Sequence, residues 1–539
     1  GGVKTFAAKL NPAFPYQSIG SEFMPPLYEG DLLYMPTTFP GISPTKAREV
    51  LQQTDQIIRT FPEVHQVFGK MGRAETATDP APMDMIETTI MLKPEEEWPV
   101  VDIVDLEGQV IAHRRRTSDE LVTALNNAVQ IPGLTNAWTM PIRTRIDMLA
   151  TGIKTPVGIK VAGPSLVELE RIAGQIEAII HRVPGTSSVF AERVMGGNYI
   201  EFDIDRDAIA RYGLTVGDVQ DVLQVALGGM PLTTTVEGLE RYGVILRYDR
   251  DYRDNLEALR NILIPVKSTG NSSAMGGATN GMMAQVPLSQ LAKLKVVAAP
   301  MGVKSEGAVP NAWIYVDVQG VDIGTFVRNA KAVVAEAQQK SELQMPVGYS
   351  LFWSGQFEYM ERANQRLLII IPVTLVIVAL LIFLSTKSYV KTAIVFLAVP
   401  FSLVGAFWMI YLLDYNMSVA VWVGIIALAG LDAETGMVML LYLDLAYDER
   451  VQQGQMRHTT DLREAIYHGA VRRVRPKIMT AATTLIALVP IMWSSGTGAD
   501  VMKRIAAPMV GGLTTSVLME LLVYPAIFFI WKKRSLVLK

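Results

Sequence analysis

The sequence predicts an α+β protein: ferredoxin-like, split β-α-β subdomains followed by an all-α transmembrane bundle of five helices. Two observations support this prediction. Before about residue 365, strand patterns of period two alternate with helix patterns of period 3.6. After that position, apolar runs dominate a chain in which 50% of the 539 residues are hydrophobic and 19% are charged. The chain therefore combines a water-facing part with a membrane part.

The water-facing part repeats one order of elements. A predicted strand is followed by an amphipathic helix and then by further strands, and this order recurs twice. Ser43 and Ser165 precede the first two long helices and are predicted to be their N-caps. The segments are 31–39, 43–61, 64–70 and 85–93, then 156–163, 165–183 and 187–193, then 312–320, 324–339 and 349–355. Residues 199–229 predict a further α/β element, and 267–285 has the composition of a flexible loop.

The membrane part contains five apolar runs that predict spans of a hydrocarbon core about 30 Å thick. They lie at about 367–385, 391–413, 419–445, 478–493 and 505–531. Lys and Arg are concentrated after the first, third and fifth runs, and such loops are typically cytoplasmic. Residues 1–365 are therefore predicted to face the outside of the inner membrane.

Composition argues against several classes of protein. The net charge of −3 gives no indication of a nucleic-acid partner. The chain has no cysteine, its five histidines are scattered, and no HExxH motif or phosphate-binding loop occurs. We therefore expect no enzyme activity and no permanent cofactor.

Two carboxylates interrupt the third apolar run, in "ALAGLDAETG". Residues two apart on a helix point about 200° apart, so Asp432 and Glu434 cannot share a face. Glu434 lies on a stripe with small residues such as Gly430, where a neighbouring helix can approach. A carboxylate in a membrane helix is costly unless it faces the bundle interior or a water path. We predict that Glu434 carries protons and that Asp432 is structural; an interhelical hydrogen bond is the alternative for Glu434. The role of Glu520, in the fifth run, is left open.

Long motifs resemble one known family. They are "GSEFMPPLYEGDLLYMP", "GKMGRAETATDPAPMDMIETTI", "TRIDMLATGIKTPVGIKV", "SGQFEYMERANQRL", "ALAGLDAETG", "YHGAVRRVRPKIMT" and "KRIAAPMVGG". Together they resemble the C-terminal half of a heavy-metal efflux pump of the resistance-nodulation-division (RND) superfamily, in its copper and silver branch of the CusA/SilA type. The resemblance implies a second periplasmic loop followed by the last five of twelve transmembrane helices. We therefore expect that the sequence is a piece and that a transmembrane helix precedes it.

The resemblance also implies site residues. The metal ligands fall on Met35, Met85 and Met148, and soft thioethers select Cu(I) and Ag(I) over Zn(II). Two further positions match a methionine relay: Met502, and Met230 with an offset of one residue. The implied proton relay joins Glu434 and Lys477 to an Asp of the absent half. Lys477 is expected at the membrane edge, where snorkelling is the alternative. Residues 95–121 exceed the family pattern by about a dozen residues and predict an inserted turn or hairpin at the cleft mouth.

The resemblance implies a domain order as well. It consists of a lead-in (1–30), a first porter-type subdomain (31–140), a second one in two parts (141–198 and 291–355), a docking-type subdomain (199–290) and the transmembrane domain (356–539). The implied function is proton-driven export of Cu(I) or Ag(I) by a homotrimer that docks a periplasmic adaptor and an outer-membrane channel. The alternatives are RND export of divalent cations or organic compounds, and a membrane-anchored periplasmic metal-binding module without transport.

Overall fold

The computed structural model describes residues 19–25, 27–38, 41–72, 85–104, 110–266, 284–300 and 302–537. Most of the lead-in and of the predicted flexible loop 267–285 lies outside these ranges. The chain divides into two compact units, Gly1–Val194 with Val303–Lys539, and Met195–Gly302.

The first sheet of the larger unit has the predicted split β-α-β order. Its elements are β1 (Asp31–Tyr34), α1 (Pro44–Arg59), β2 (Val64–Met71), β3 (Ile86–Leu92), α2 (Ser118–Ala128) and β6 (Trp138–Thr139). The antiparallel strands lie in the order β2-β3-β1-β6, which is the ferredoxin-like arrangement. Helix α1 begins where predicted, because the Ser43 side chain accepts a hydrogen bond from Lys46 N at 3.2 Å.

The segment 95–121, in which an inserted turn or hairpin is predicted, contains β4 (Val101–Val104) paired with β5 (Val110–Arg114). Trp98 precedes it and is buried in the core that α1, α2 and the first sheet share. Arg115 Nε donates to the Trp98 carbonyl at 2.9 Å, and Arg116 pairs with buried Glu63 at 2.6 Å. These contacts fasten the residues on both sides of the paired strands to the core of the first sheet.

The second sheet repeats the arrangement. Its elements are β7 (Val157–Ala162), α4 (Leu166–Ile180), β8 (Thr186–Ala191), β15 (Lys304–Glu306), β16 (Val309–Val318), α8 (Ile323–Gln339) and β17 (Ser350–Gly355). The order β8-β16-β7-β17 is again ferredoxin-like, with β15 beside β16. The apolar faces of α4 and α8 pack on the sheet around Ile159, Ile176 and Phe326. Ser165 occupies the N-cap position of α4, but its side chain makes no capping hydrogen bond.

The smaller unit has its own apolar core, which includes Val219, Ile264 and Leu288. Its strands form the pairs β9 (Gly197–Ile204) with β14 (Ala292–Ala299), β10 (Met230–Glu237) with β11 (Glu240–Leu246), and β12 (Leu263–Pro265) with β13 (Gln285–Pro287). Its helices are α5 (Arg206–Arg211), α6 (Val216–Leu223) and α7 (Leu256–Arg260). This unit contains the α/β element predicted over 199–229.

Within the described residues, five helical segments are long and apolar enough to cross a membrane, as predicted. They are α9 (Gln356–Thr386); α10 (Tyr389–Phe396) with α11 (Ala398–Leu412); α12 (Val419–Gln452); α13 (Thr459–Met492); and α14 (Ala499–Leu518), continued by a π-helical turn (Met519–Val523) and α15 (Tyr524–Val537). The α+β and five-helix prediction is confirmed. The fourth segment differs from its expected bounds, because α13 begins at Thr459 rather than near 478.

Glycines bring the membrane helices together. A Cβ built on Gly405 of α11 would lie 2.2 Å from the Gly511 carbonyl oxygen of α14, and one on Gly511 would lie 2.3 Å from the Gly405 oxygen. Contacts this short are possible only between residues without side chains. The backbones of α11 and α14 therefore touch, and this positions the polar side chains that follow along both helices.

Candidate functional site

The three predicted methionine ligands lie in one buried cluster. Met35, Met85 and Met148 pack together with Leu33 and Ala137, and the methionines are 0%, 8% and 8% exposed. They are separated by 50 and 63 positions in the sequence, so their meeting is a property of the fold. We call these three residues the methionine cluster.

Strand pairing positions two of its members. Met35 follows β1, and its backbone N donates to the Ala137 carbonyl at 2.8 Å. Met85 precedes β3 and pairs with Thr37 in an isolated antiparallel bridge. The adjoining ends of β1 and β3 therefore bring both thioethers to one edge of the first sheet.

Helix α3 (Pro141–Thr151) supplies the third member. Its buried residues Thr144, Met148 and Thr151 share one face, as the spacing of four and three requires. The helix ends at Gly152, whose N–H donates to the Met148 carbonyl at 2.8 Å and whose φ is +78°. A Cβ at Gly152 would lie 2.1 Å from the Trp313 ring. The close approach and the left-handed backbone both require glycine here, and they fix the end of the helix that carries Met148.

Charged groups lie beside the methionine cluster. The buried Lys154 ammonium donates to the Met35 carbonyl at 3.3 Å and to the Thr37 hydroxyl. Glu87, two positions beyond Met85 on the same strand face, is 5% exposed and pairs with Lys70 at 3.1 Å and Arg145 at 3.3 Å. These bonds hold the backbone that positions the methionines. The thioethers themselves lie among apolar neighbours.

The outer face of α3 connects to the first membrane helix. Gln356, at the start of α9, accepts from Arg143 at 2.6 Å and donates to Asp147 at 3.2 Å. Burial raises the pKa of the Asp147 carboxyl, and burial lowers the pKa of the Arg143 guanidinium. The helix that carries Met148 is therefore tied to a membrane segment through partly desolvated polar groups.

The other two predicted methionines are partly exposed side chains. Met502, in the first turn of α14, is 48% exposed, and Met230, at the start of β10 in the smaller unit, is 42% exposed. Met502 is not a member of the buried methionine cluster. Their relay role stays a prediction.

A second group of polar side chains is buried among the membrane-capable helices. Asp432 of α12 and Glu520 of the π-helical turn are both 0% exposed, and Lys477 of α13 is 5% exposed. Lys477 Nζ lies 2.5 Å from Glu520 Oε2. The Thr435 hydroxyl donates to Glu520 Oε1 at 2.6 Å. We call Asp432, Lys477 and Glu520 the carboxylate cluster.

This cluster corrects the expected position of Lys477 and shows where Asp432 and Glu434 lie. Lys477 lies within the bundle rather than at the membrane edge, because α13 extends well before it. Asp432, expected to be structural, is the fully buried carboxylate of its helix, whereas Glu434 is exposed on this chain. The ion-pair partner of Lys477 is Glu520. The proton role of Glu434 and Lys477 is untested by these positions and stays a prediction.

Sequence reasoning missed the partnership of Glu520 with Lys477. The available signal was the number of charges: within the spans, a lysine and several carboxylates must find partners in an apolar surrounding. Helical spacing could not identify which ones meet, because they lie on three different segments.

Comparison with known proteins identifies the family to which the chain belongs. The AcrB/AcrD/AcrF family model matches residues 6–532. The chain belongs to this family. This membership confirms the resemblance to RND pumps. The structure agrees, because a solved structure described as a heavy metal efflux pump, crystal form II, superimposes on this chain with a TM-score of 0.80. The two sequences are 26% identical, and the match covers 99% of this chain and 49% of the other.

Several curated relatives are similar over almost all of this family member. SilA of Salmonella typhimurium is 44% identical over 97% of this chain and 47% of SilA. CusA of Escherichia coli K12, described as a cation efflux system protein, is 43% identical over 98% of this chain and 48% of CusA. The cobalt-zinc-cadmium resistance protein CzcA of Cupriavidus metallidurans is 31% identical over 95% of this chain and 45% of CzcA. The chain spans about half the length of the curated relatives that it matches.

Proposed function

We propose that this chain is the C-terminal half of a proton-driven exporter of Cu(I) or Ag(I), and that Met35, Met85 and Met148 bind the metal substrate. The observation that carries the proposal is the burial of these three thioethers in one cluster. Thioether sulfur is a soft ligand that favours monovalent copper and silver over zinc. Among the described residues, no group of three or more His, Asp or Glu side chains is placed to hold a metal ion.

The higher identity to SilA and CusA than to CzcA supports the choice of substrate. The five membrane-capable helices support a place in the inner membrane, with residues 1–365 in the periplasm. In this proposal, Met502 and Met230 pass the metal along its route, and Glu434 and Lys477 carry the coupling protons. The complete protein would be a homotrimer that docks a periplasmic adaptor and an outer-membrane channel. Secondary transport, rather than enzyme catalysis, is the activity.

The pump cycle requires that protonation favour one conformation over another, because a ligand shifts an equilibrium only by its difference in affinity for the two states. The polar link from α3 to α9 through Gln356 provides a physical connection between the metal ligands and the membrane helices. Movement of α9 would change the position of Met148 relative to the two strand methionines. We propose this displacement as the step that releases the metal.

Calorimetric titration of the purified chain with Ag(I) and with Zn(II) tests the proposal. The parent is compared with the triple variant Met35→Leu, Met85→Leu, Met148→Leu, in which leucine conserves volume and removes sulfur. We expect tight Ag(I) binding by the parent, at least a hundredfold weaker binding by the triple variant, and weak Zn(II) binding by both.

Met360→Leu is the matched control, because Met360 is also 8% exposed but lies in the core of the second sheet. It should bind Ag(I) like the parent. Equal Ag(I) affinity in the parent and the triple variant would mean that the methionine cluster is ordinary core packing, and the copper and silver assignment would then be withdrawn.

A further inference from the structure

The carboxylate cluster holds an unequal number of charges. Asp432 and Glu520 are two acids, Lys477 is one base, and all three are within 5% of complete burial. With every group ionised, the cluster would carry one net negative charge inside an apolar bundle. An unpaired buried charge is strongly unfavourable, so a proton on one acid is the simplest way to make the cluster neutral.

Among the residues that the structure describes, no other charged side chain is paired with the cluster. The polar neighbours of the Asp432 carboxyl group are Ser402 of α11 and Ser516 of α14. Its charged neighbours are Lys477 and Glu520. Tyr524 of α15 lies close, and its hydroxyl donates to the Val395 carbonyl of α10 at 2.9 Å.

Several basic side chains of the neighbouring helices have other partners. The Arg473 guanidinium of α13 lies over the Tyr442 ring at 5.0 Å, and Arg504 of α14 pairs with Glu22 at 3.3 Å. Lys391 of α10 and Lys532 of α15 pair with Asp444, which lies about 18 Å further along α12. The membrane span of α9, residues 367–385, has no charged side chain. Lys477 is therefore the base available to both acids of the cluster within the described part of the chain.

The two acids differ in their contacts. Glu520 is paired with Lys477 and accepts from Thr435. Neither carboxylate oxygen of Asp432 accepts a hydrogen bond of good geometry within the described residues, although Ser402 and Ser516 are adjacent. The arrangement is the one expected when Asp432 holds the proton and Glu520 is ionised.

A hydroxyl group lies beside both acids. Ser516 neighbours Asp432, and its Oγ lies 3.4 Å from Glu520 Oε1. A hydroxyl both donates and accepts, so it can receive a proton from one carboxyl group while giving its own to the other.

We propose that Asp432 and Glu520 exchange one proton while Lys477 exchanges partners between them. In the state of this structure, Asp432 is a neutral acid and Lys477 pairs with the Glu520 carboxylate. In the other state, the proton has moved from Asp432 to Glu520, and Lys477 pairs with the Asp432 carboxylate. One proton moves, the ammonium stays charged, and the cluster is neutral in both states. Because Lys477 belongs to α13, the exchange moves this helix relative to α12 and α14.

The exchange extends the proposed function by adding a proton site contained in this chain, and its use in export rests on that function. The protonation itself does not depend on metal transport and can be measured without metal. The measurement is the infrared C=O stretch of protonated carboxylic acids in the chain reconstituted in lipid vesicles at neutral pH. All variants carry Glu434→Gln, so that the proposed role of Glu434 cannot influence the result.

Four substitutions are compared on this background. Asp432→Asn should remove the signal of one protonated acid. Glu520→Gln should remove one as well, because Lys477 then pairs with an ionised Asp432. Lys477→Met should instead add one, since both acids then need a proton. Asp444→Asn is the control on the same helix and should change nothing, because Asp444 is held ionised by two lysines.

The gain with Lys477→Met and the loss with Glu520→Gln are the decisive readouts, because a purely structural cluster of ionised acids would show neither. An unchanged signal in Asp432→Asn and Glu520→Gln would overturn the proposal. If Asp432→Asn fails to fold, the other two variants still decide between the outcomes. Loss of Ag(I) binding in the methionine variants would not affect any of these results.

Discussion

The methionine cluster and the carboxylate cluster are both buried groups of three side chains, but burial has different consequences in each. Methionine is uncharged, so Met35, Met85 and Met148 can lie in an apolar site whether or not a metal is present. Asp432, Lys477 and Glu520 can be buried only if their charges are compensated. The first cluster is therefore free to bind and release a soft ion, whereas the second must keep its charges balanced through any movement.

The largest expected effect comes from removing the base of the carboxylate cluster. Lys477→Met leaves Glu520 and Asp432 buried without a cation, and breaking one partner of a buried pair typically costs about 3–5 kcal/mol. The melting temperature of the chain in detergent measures the loss, and the loss should shrink at acidic pH because both acids can then be protonated.

The matched variant for this test is Lys46→Met, at a lysine that is 66% exposed and pairs with Glu49 on the surface. It should lower the melting temperature by at most a degree or two. Equal effects of the two substitutions would show that the buried charges of the carboxylate cluster need no more compensation than a surface ion pair.

The methionine cluster should respond to volume rather than to charge. Met35 is completely buried, so Met35→Ala should lower the free energy of unfolding by about 2–4 kcal/mol through the cavity that it leaves. Met35→Leu conserves the volume and should cost less than about 1.5 kcal/mol. Chemical unfolding followed by tryptophan fluorescence compares the two. A leucine variant as unstable as the alanine variant would show that the thioether itself stabilises the fold.

Helix contact near the carboxylate cluster gives a third test. Gly405→Ala places a methyl group about 2.2 Å from the Gly511 oxygen and should cost about 1–3 kcal/mol through the forced separation of α11 and α14. Gly430→Ala, at a position with open space around its Cβ, should leave stability unchanged or raise it slightly. Thermal melting in detergent distinguishes them. No loss in Gly405→Ala would mean that the helices can separate freely.

The smallest effect concerns a carboxylate on the water-facing side. Burial raises the pKa of Asp317, on β16, to about 6, although the Val318 N–H donates to it. Between pH 3.8 and about 6 the native state then binds more protons than the unfolded state, so stability falls as the pH rises through this window. Asp317→Asn should remove this fall. The free energy of unfolding of the variant, relative to that of the parent, should therefore be about 1–2 kcal/mol higher at pH 7.5 than at pH 4.

Urea unfolding at the two pH values measures this difference. Asp317 differs from the acids of the carboxylate cluster, because those acids share a lysine, whereas ionisation of Asp317 near neutral pH lowers stability. A pH-independent difference between Asp317→Asn and the parent would contradict the assigned cause.

The sequence predicted the repeating architecture well, because its periodicities are local. The segments 156–163, 165–183 and 349–355 appear as β7, α4 and β17 with small changes at their ends. These local periods do not determine which strands pair, and the strand order entered only with the ferredoxin-like prediction. The order β8-β16-β7-β17 depends on pairing between residues more than 100 positions apart.

The fourth membrane helix shows the limit of hydropathy. The arginine-rich stretch before residue 478 predicts a loop, yet α13 is continuous from Thr459 to Met492. Charged side chains at the end of a long helix can extend into water while the backbone remains helical. Because the arginine-rich stretch predicts a loop, Lys477 was wrongly expected at the membrane edge.

By itself, the sequence determined the division into water-facing and membrane parts, the family, and the residue types of the methionine cluster, because composition, period and long motifs are properties of the chain alone. Only the tertiary structure decided which carboxylate is buried and which base it meets. Asp432 and Glu434 differ by two positions on one helix, and the face that is covered depends on the packing of α11, α13 and α14 around it. Close approach of these helices through glycine, rather than any local pattern, brings Lys477 to Glu520.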